Sequence, residues 1–415
     1  MALEHIRQLT CVACGRHYGT DTLYTCPSCG IEGILDVEYD VEKAARTLTP
    51  RALEGRPWSQ WRYQELLPVD FSGSVPHLQV GMTPVYPTPR LAEAVGVKAL
   101  WVKDDGRNPT GSFKDRASAV GVMKARELGK EVIACASTGN AASSLAGFSA
   151  ATALRSFIFV PERAPEPKIA QLLIFGATVL RVRGTYDQAW DFCQRACARY
   201  GWYNRNCAVN PYLVEGKKTV GLELGERLGD EVPDWVVLSV GDGCTLAGAW
   251  KGLQQMHQLG FLKRLPRMLG VQAAGSAPIT EAWQKKADAI QPTDAQTLAD
   301  SICVGQPRNW RKALRAVRDS SGAMVNVEDA EILDAMRKTA RLAAVFAEPA
   351  GATSVAGLAA AVRQGLVGKG ETALCVVTGN GLKDIKSAIQ ATTPPIDLAP
   401  EMDALEAELK ERRLI

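Results

Sequence analysis

Histidine is scarce in this chain, with four in 415 residues. The scarcity argues against catalysis centred on histidine, so another side chain must move protons if the chain is an enzyme. No run of about 18 apolar residues occurs, and we therefore expect no transmembrane helix. The first residues, 1–7, lack the apolar core of a signal peptide, which favours a cytoplasmic protein.

The chain also lacks an excess of one charge. It contains 48 Lys and Arg and 45 Asp and Glu, which gives a formal net charge of +3. This balance gives no reason to expect binding to nucleic acid or to an anionic membrane. Hydrophobic residues make up 46% and charged residues 22% of the chain, values that exclude a disordered or fibrous protein. The length predicts two or three domains with a large core.

Cysteine is abundant, and its odd total of eleven argues against a disulfide framework. Four cysteines form two Cys-x2-Cys pairs: Cys11, Cys14, Cys26 and Cys29. Gly15 and Gly30 follow the pairs and suit tight turns whose thiolates complete a tetrahedral zinc site. Four thiolates leave no open coordination position, so residues 1–40 are predicted to form a structural zinc ribbon. A degenerate ribbon or a redox pair is the alternative.

Beyond about residue 98, short apolar runs alternate with longer helical patterns. The predicted strands are 98–103, 131–136, 155–160, 177–182, 234–240, 267–273 and 373–378. The predicted helices include 115–128, 141–152, 187–200, 245–258, 329–344 and 353–364. This alternation predicts an α/β fold with two parallel sheets covered on both faces. In the tail, 391–415, we expect an amphipathic helix to pack on the body or on a neighbouring subunit.

Four polar turns follow predicted strands and open helices, which is where open α/β sheets bind ligands. The first, Asn-Pro-Thr-Gly-Ser-Phe-Lys-Asp, places Lys114 at the start of a helix. The helix dipole and burial would lower the pKa of this lysine and make it a nucleophilic amine. The alternative is an ordinary solvated lysine.

The other three turns carry hydroxyls, amides and glycines. Ser137, Thr138 and Asn140 could bind a carboxylate at a helix start, or simply cap that helix. Residues 241–245 suit a phosphate bound by successive backbone amides, although a plain strand-to-helix turn would look similar. Thr378 would place a hydroxyl near a neutral ring nitrogen, or belong to a turn without a ligand.

Together the four turns offer a lysine, a carboxylate site, a phosphate site and a hydroxyl, which an aldehyde-phosphate cofactor with a pyridine ring requires. On these residues, and above all on the segment around Lys114, the chain resembles the fold type II pyridoxal-phosphate enzymes over about residues 80–390. Among them it is most similar to the threonine synthases that carry an N-terminal zinc ribbon.

The resemblance implies a domain arrangement and two bound groups, pyridoxal 5'-phosphate and structural zinc. Residues 80–130 and 215–390 would form a large cofactor-binding domain, and 131–214 a smaller mobile substrate domain. Residues 41–79 would link the ribbon to this body. A homodimer acting on a small amino acid is expected, with no nucleic-acid or membrane partner.

The resemblance also implies a role for each site residue. Lys114 would hold the cofactor covalently and move protons, while Ser137 and Thr138 would bind the substrate carboxylate. The cofactor-binding residues would be Phe113, Lys114, Asn140, Gly241, Asp242, Gly243, Cys244, Thr245 and Thr378. The implied reaction is elimination and replacement on O-phosphohomoserine, which yields threonine and phosphate.

The sequence departs from these threonine synthases in the segment expected to bind the substrate phosphate. Leu213 stands where an arginine is common, and Cys207-Ala208 replaces a frequent Asn-Ser pair. Lys217 and Lys218 could compensate if they face the site. A pyridoxal-phosphate lyase or synthase that acts on a non-phosphorylated or differently substituted amino acid is therefore the alternative.

Asp242 is a second departure, since an acid beside a phosphate is unfavourable unless it binds an amide. Two other classes fit less well. A nucleic-acid-binding ribbon is disfavoured because residues 1–40 hold six acidic residues against two arginines. A nicotinamide-dependent dehydrogenase is disfavoured because Leu246 stands where the dinucleotide fingerprint needs a third glycine.

Overall fold

The computed structural model describes residues 3–21, 24–71, 73, 75–207 and 209–415. Its strands are β1 Ile6–Cys11, β2 His17–Tyr18, β3 Leu35–Tyr39, β4 Val85–Pro87, β5 Ala99–Asp104, β6 Val132–Ala136, β7 Arg155–Pro161, β8 Thr178–Val182, β9 Tyr203–Asn204, β10 Trp235–Ser239, β11 Arg267–Ala273, β12 Ala323–Val327 and β13 Thr372–Val377. Its α-helices are α1 Val41–Ala44, α2 Pro50–Glu54, α3 Pro89–Val95, α4 Lys114–Glu127, α5 Asn140–Thr152, α6 Glu166–Ile174, α7 Tyr186–Tyr200, α8 Pro211–Leu228, α9 Cys244–Gln258, α10 Pro278–Gln284, α11 Trp310–Asp319, α12 Asp329–Ala343, α13 Pro349–Arg363, α14 Ile385–Gln390 and α15 Met402–Glu411.

The strands form three sheets among the described residues. A six-stranded sheet has the order β12-β11-β10-β13-β5-β4, in which β4 alone pairs antiparallel. A four-stranded parallel sheet has the order β8-β7-β6-β9. The N-terminal β2-β1-β3 sheet is antiparallel. The α/β fold with two largely parallel sheets is thus confirmed.

All seven predicted strands are present, with ends within one residue of the prediction. The six predicted helices are present too, although α13 begins at Pro349, four residues before its predicted start. The sequence analysis did not predict the strands β4, β9 and β12, nor the helices α3, α6, α8, α10, α11 and α14. Two of these strands have two or three residues, too few to show a hydrophobic period.

Helix α8 escaped prediction because it is buried on nearly all sides and carries glycines. A Cβ on Gly216 would lie 2.2 Å from the carbonyl oxygen of Arg116 in α4, and one on Gly221 would lie 2.2 Å from that of Ala249 in α9. From the α9 side, a Cβ on Gly252 would lie 2.3 Å from the carbonyl oxygen of Lys218. These glycines let three helix backbones touch where side chains would otherwise separate them.

The C-terminal tail behaves differently from the core helices. None of the residues of α15 is buried, and the side chain of Met402 is 75% exposed. The predicted helix is present, with Leu405 and Leu409 half-buried on one face, and its packing on the body or on a neighbouring subunit stays a prediction. Among the described residues, no helix combines the length and apolarity needed to cross a membrane.

Four fully buried charged side chains tie the start of α4 to α8 and to the end of β5. The Arg116 guanidinium donates to Asp105 Oδ2 from Nε at 2.6 Å and also pairs with Glu223. Lys103 Nζ donates to the same Glu223 at 2.7 Å. Two cations and two anions therefore compensate one another without water, and they fix the helix turn that carries Lys114.

We expect Glu223→Gln to lower the free energy of unfolding by about 3–5 kcal/mol, because it leaves buried cations uncompensated. Burial opposes ionisation of Glu223, but Arg116 and Lys103 outweigh it and lower its pKa to about 2. A lowered pKa stabilises the folded protein above the ordinary value of about 4.5. That contribution is lost as the pH falls from there towards about 2.

Urea unfolding of wild type and variant at neutral pH and at lower pH measures both effects. Glu131→Gln is the control, because Glu131 pairs with Arg155 on the surface and such pairs contribute about 1 kcal/mol or less. Equal losses in the two variants would contradict the role given to Glu223.

Candidate active site and cysteine cluster

A cavity of about 920 Å³ lies between the two main sheets, at the carboxyl ends of their strands. Strands β6, β10 and β13 each end just before a turn that lines it. The lining includes Lys114, Ser137, Thr138, Asn140, Gly241, Asp242, Gly243, Cys244, Thr245 and Thr378. The structure therefore brings together every residue predicted for the site except Phe113, which is fully buried and does not line the cavity.

Backbone contacts hold the Lys114 turn against the turn that follows β13. The Phe113 amide donates to the Thr378 carbonyl at 2.8 Å, and Ser112 and Gly379 form an antiparallel bridge. The turn is closed by Asp115, whose carboxylate accepts bonds from the Thr110 amide at 2.7 Å and from the Thr110 hydroxyl at 2.5 Å. Lys114 thus starts α4 at a fixed position opposite Thr378.

Burial and, next, the positive charge of Lys217 lower the pKa of Lys114 to about 8. The carboxylate of Glu348 acts in the opposite direction but is outweighed. A substantial fraction of the amine is therefore unprotonated near neutral pH. An uncharged amine is the form that attacks a carbonyl carbon.

The glycine turn after β10 is shaped by close contacts. Gly243 has a φ of +94°, and a Cβ on it would lie 2.9 Å from the carbonyl oxygen of Asn309. The Asp242 carboxylate accepts bonds from the Arg308 amide at 2.7 Å and from the Cys244 thiol at 3.1 Å. The acid is thereby bound to an amide, as a phosphate site requires. The amides at the start of α9 suit a phosphate group.

Asn140 opens α5 but does not hold its amide free in the cavity. Its Nδ2 donates to both oxygens of Glu348 at 2.9 Å and to the Ser301 hydroxyl at 3.1 Å. Burial raises the pKa of Glu348 despite the Asn140 bond and the nearby Lys114. Sequence reasoning missed Glu348, although an acid directly before a proline at a helix start was the available signal.

Cations line the cavity even though the expected arginine is absent. Arg205, Lys217 and Arg308 all face it, and Arg205 is held by the Ser118 hydroxyl at 2.9 Å and the Cys207 sulfur at 3.4 Å. Leu213 does not line it; this side chain is fully buried and packs against Gly121.

Of the two lysines expected to compensate, Lys217 faces the cavity and Lys218 does not. Burial disfavours the Lys217 cation, but nearby groups that can carry negative charge, the Cys207 thiolate first, outweigh this and raise the pKa of Lys217. Lys218 points to the other side of α8, where its Nζ lies 2.6 Å from Glu215 and 3.7 Å from the ring centre of Tyr39. Compensation by Lys218 is thus wrong, because successive helix residues point in different directions.

The four N-terminal cysteines converge as their spacing predicts. The sulfurs of Cys11, Cys14, Cys26 and Cys29 all lie within 4.8 Å of one another. Gly33 leaves room for them, since a Cβ there would lie 3.1 Å from the sulfur of Cys11. Four converging sulfurs fit a tetrahedral ion.

Comparison with known proteins agrees with this geometry. A family model described as "Pyridoxal-phosphate dependent enzyme" matches residues 77–379. Among solved structures, a tomato threonine deaminase (Solanum lycopersicum) is 22% identical with a TM-score of 0.65, covering 75% of this chain and 87% of that one. A maize serine racemase is 20% identical with a TM-score of 0.63, covering 80% and 93%. The chain belongs to the family of pyridoxal-phosphate-dependent enzymes.

Curated relatives narrow the family further. A threonine synthase of Methanocaldococcus jannaschii is 40% identical over 404 residues, 97% of this chain and 99% of that protein. One of Methanosarcina acetivorans is 41% identical over 96% of this chain and 97% of that protein. One of Mycobacterium tuberculosis is 35% identical over 85% and 97%. Within the larger family, the chain thus belongs with the threonine synthases.

The reactivity of Lys114 gives a test of the site. We expect the rate at which the cofactor-free protein takes up pyridoxal phosphate to rise with pH through a midpoint near 8. The protonated amine is unreactive below that pH, because it has no lone pair to offer. Lys217→Met removes a neighbouring positive charge and should move the midpoint to higher pH.

Stopped-flow absorbance at a series of pH values measures the midpoint. Lys168→Met is a matched control, because Lys168 pairs with Asp300 at the edge of a neighbouring small cleft. A midpoint that stays in place in Lys217→Met, or that moves equally in the control, would show that Lys217 does not tune the amine.

Proposed function

We propose that this chain is a threonine synthase, which converts O-phosphohomoserine and water to threonine and phosphate. Threonine synthases that are 35–41% identical over most of the chain support this proposal. The main supporting observation is one cavity that is lined by Lys114, whose pKa is lowered, and by the turns 137–140 and 241–245. The cations Arg205 and Lys217 line the same cavity. Bound pyridoxal phosphate would supply the electron sink for the reaction.

Residues of both sheets would bind the cofactor. We propose that Lys114 binds it covalently and that the amides of 241–245 bind its phosphate at the start of α9. The Thr378 hydroxyl would lie at the ring nitrogen. The Asn140 Nδ2 group, which donates to Glu348, would also donate to the ring hydroxyl. Phe113 would act from behind Lys114 as a packing residue rather than as a direct contact.

The substrate would lie between the turn that carries Ser137 and Thr138 and the cations Arg205 and Lys217. Ser137, Thr138 and the amides at the start of α5 would bind its carboxylate. The Lys114 amine would remove the proton at Cα and then one at Cβ, since its lowered pKa suits both taking and returning a proton near neutral pH. Arg205 and Lys217 would bind the leaving phosphate.

Several finer assignments go with this function. We infer that 80–130 and 215–390 form the cofactor domain and that 131–214 moves as the substrate domain. The six-stranded sheet and the four-stranded sheet divide along these lines. We further infer that the protein is a homodimer and that it is cytoplasmic. The dimer is supported by exposed apolar side chains on and near α14: Leu382, Ile385 and Ile389.

We also infer that the four N-terminal cysteines bind a zinc ion with a structural role. Their sulfurs converge from two turns, and a four-thiolate shell leaves no place for substrate. The ion would stabilise a sheet too small to have an adequate core of its own.

A panel of serine, threonine and homoserine derivatives tests the substrate. We expect O-phosphohomoserine to be the preferred member, with phosphate and threonine released in equal amounts. Arg205→Met should raise its KM roughly ten- to hundredfold, the effect of losing a charge-assisted hydrogen bond. Arg155→Met, a surface change, is the control.

Faster turnover of a non-phosphorylated amino acid would favour the alternative, a lyase or synthase of the same family with another substrate. An unchanged KM in Arg205→Met would show that another cation binds the substrate phosphate.

Metal analysis tests the zinc assignment. The purified protein should contain one zinc per chain, and Cys26→Ser should lose it and lower the melting temperature, because the metal-binding free energy contributes to folding. Cys303→Ser is a matched control, since Cys303 is a partly exposed cysteine far along the chain. Zinc retained in Cys26→Ser, or no metal in wild type, would overturn the assignment.

A further inference from the structure

The N-terminal ribbon is bonded to the helices that form the anion-binding side of the cavity. The contact centres on Asp36, on strand β3. Its Oδ1 accepts a bond from Lys312 Nζ at 2.6 Å and one from Lys251 Nζ at 3.0 Å. Lys251 belongs to α9 and Lys312 to α11, so one ribbon carboxylate joins two helices of the main body.

Both helices begin at the candidate phosphate turn. Helix α9 starts at Cys244, and Lys251 lies seven residues, about 10 Å, further along its axis. Helix α11 starts at Trp310, directly after Arg308 and Asn309, whose backbone groups bond Asp242 at 2.7 and 3.0 Å. The start of α9 thus forms part of the turn 241–245, the residues just before α11 bond that turn at Asp242, and Asp36 joins the same two helices further along.

The same contact reaches the third anion-binding helix, α8. Lys251 Nζ also donates to Glu215 Oε1 at 2.7 Å, and Glu215 lies two residues before Lys217 in the sequence. On the ribbon side Lys251 donates to the Val37 carbonyl at 2.5 Å. Lys251 is therefore shared between the ribbon and the helix that carries the cavity lysine.

These groups are little exposed. The Lys312 side chain is 7% exposed and the Lys251 side chain 16%, while that of Glu215 is fully buried. Charged groups with so little water around them interact more strongly than surface pairs. Among the described residues, Asp36 is the acidic partner of Lys312, and Lys251 is shared between Asp36 and Glu215.

We propose that Asp36 is a positioning residue for the cofactor phosphate: the ribbon holds α9 and α11 in the relative position at which the turn 241–245 binds an anion. The inference rests on the proposed function for the assignment of that turn. It gives the ribbon a role at the active site although no described residue of the ribbon lines the cavity.

Two substitutions remove the link from opposite sides. Asp36→Asn should raise the dissociation constant for pyridoxal phosphate roughly two- to thirtyfold, the range usual for coupling between separated groups. Lys312→Met should do the same, and the double variant should bind no more weakly than the weaker single variant. Asp36→Glu keeps the charge and should restore much of the affinity.

The measurement is a titration of full-length, cofactor-free protein with pyridoxal phosphate, followed by visible absorbance, with zinc content measured in parallel. Glu38→Gln is the matched control: Glu38 lies two residues along the same strand, and its carboxylate bonds only Gln8 among the described residues, at 2.7 Å. It should bind the cofactor as wild type does.

The possible outcomes distinguish a failure of the proposed function from a failure of the positioning role. If wild type binds no pyridoxal phosphate, the proposed function itself fails. If wild type binds it and Asp36→Asn and Lys312→Met bind equally well, the positioning role is wrong. If Glu38→Gln weakens pyridoxal-phosphate binding as much as Asp36→Asn does, the positioning role is also wrong, because any loss of charge on the ribbon would then have the same effect.

Discussion

The buried group of Arg116, Asp105, Glu223 and Lys103 is the constraint on which the site depends. It joins the end of β5, the start of α4 and the middle of α8 in one ion network without exposed side chains. Lys114 lies two residues before the arginine and Lys217 lies in the same helix as Glu223. The network therefore sets the separation of the reactive amine from the cation that tunes it.

Much of the fold could be predicted from the sequence because its central strands are continuous apolar runs. Strands such as β10 and β11 are buried along almost their whole length, which gives a clear pattern. Helix α8 could not be predicted in this way. Its charged residues Glu215, Lys218 and Glu223 are buried in ion pairs and Lys217 is buried at the cavity, whereas their hydrophilic character alone predicts surface positions.

The candidate site could be predicted where local sequence determines local structure. The turns around Lys114, Ser137, 241–245 and Thr378 each follow a strand, and parallel strands bring their carboxyl ends together. Arg205 and Glu348 were missed because their positions depend on tertiary contacts with Ser118 and Asn140 rather than on neighbours in the sequence. Leu213 misled for the same reason, since alignment with a motif does not show which side of a helix a residue faces.

The glycines between α8 and α9 have a further consequence. With backbone atoms in contact at Gly221 and Gly252, these two helices can neither slide nor rotate against each other. One of them carries the turn suited to a phosphate and the other carries Lys217. In the proposed function, two anionic groups bound at these two places would therefore lie at a spacing that the helix contact sets.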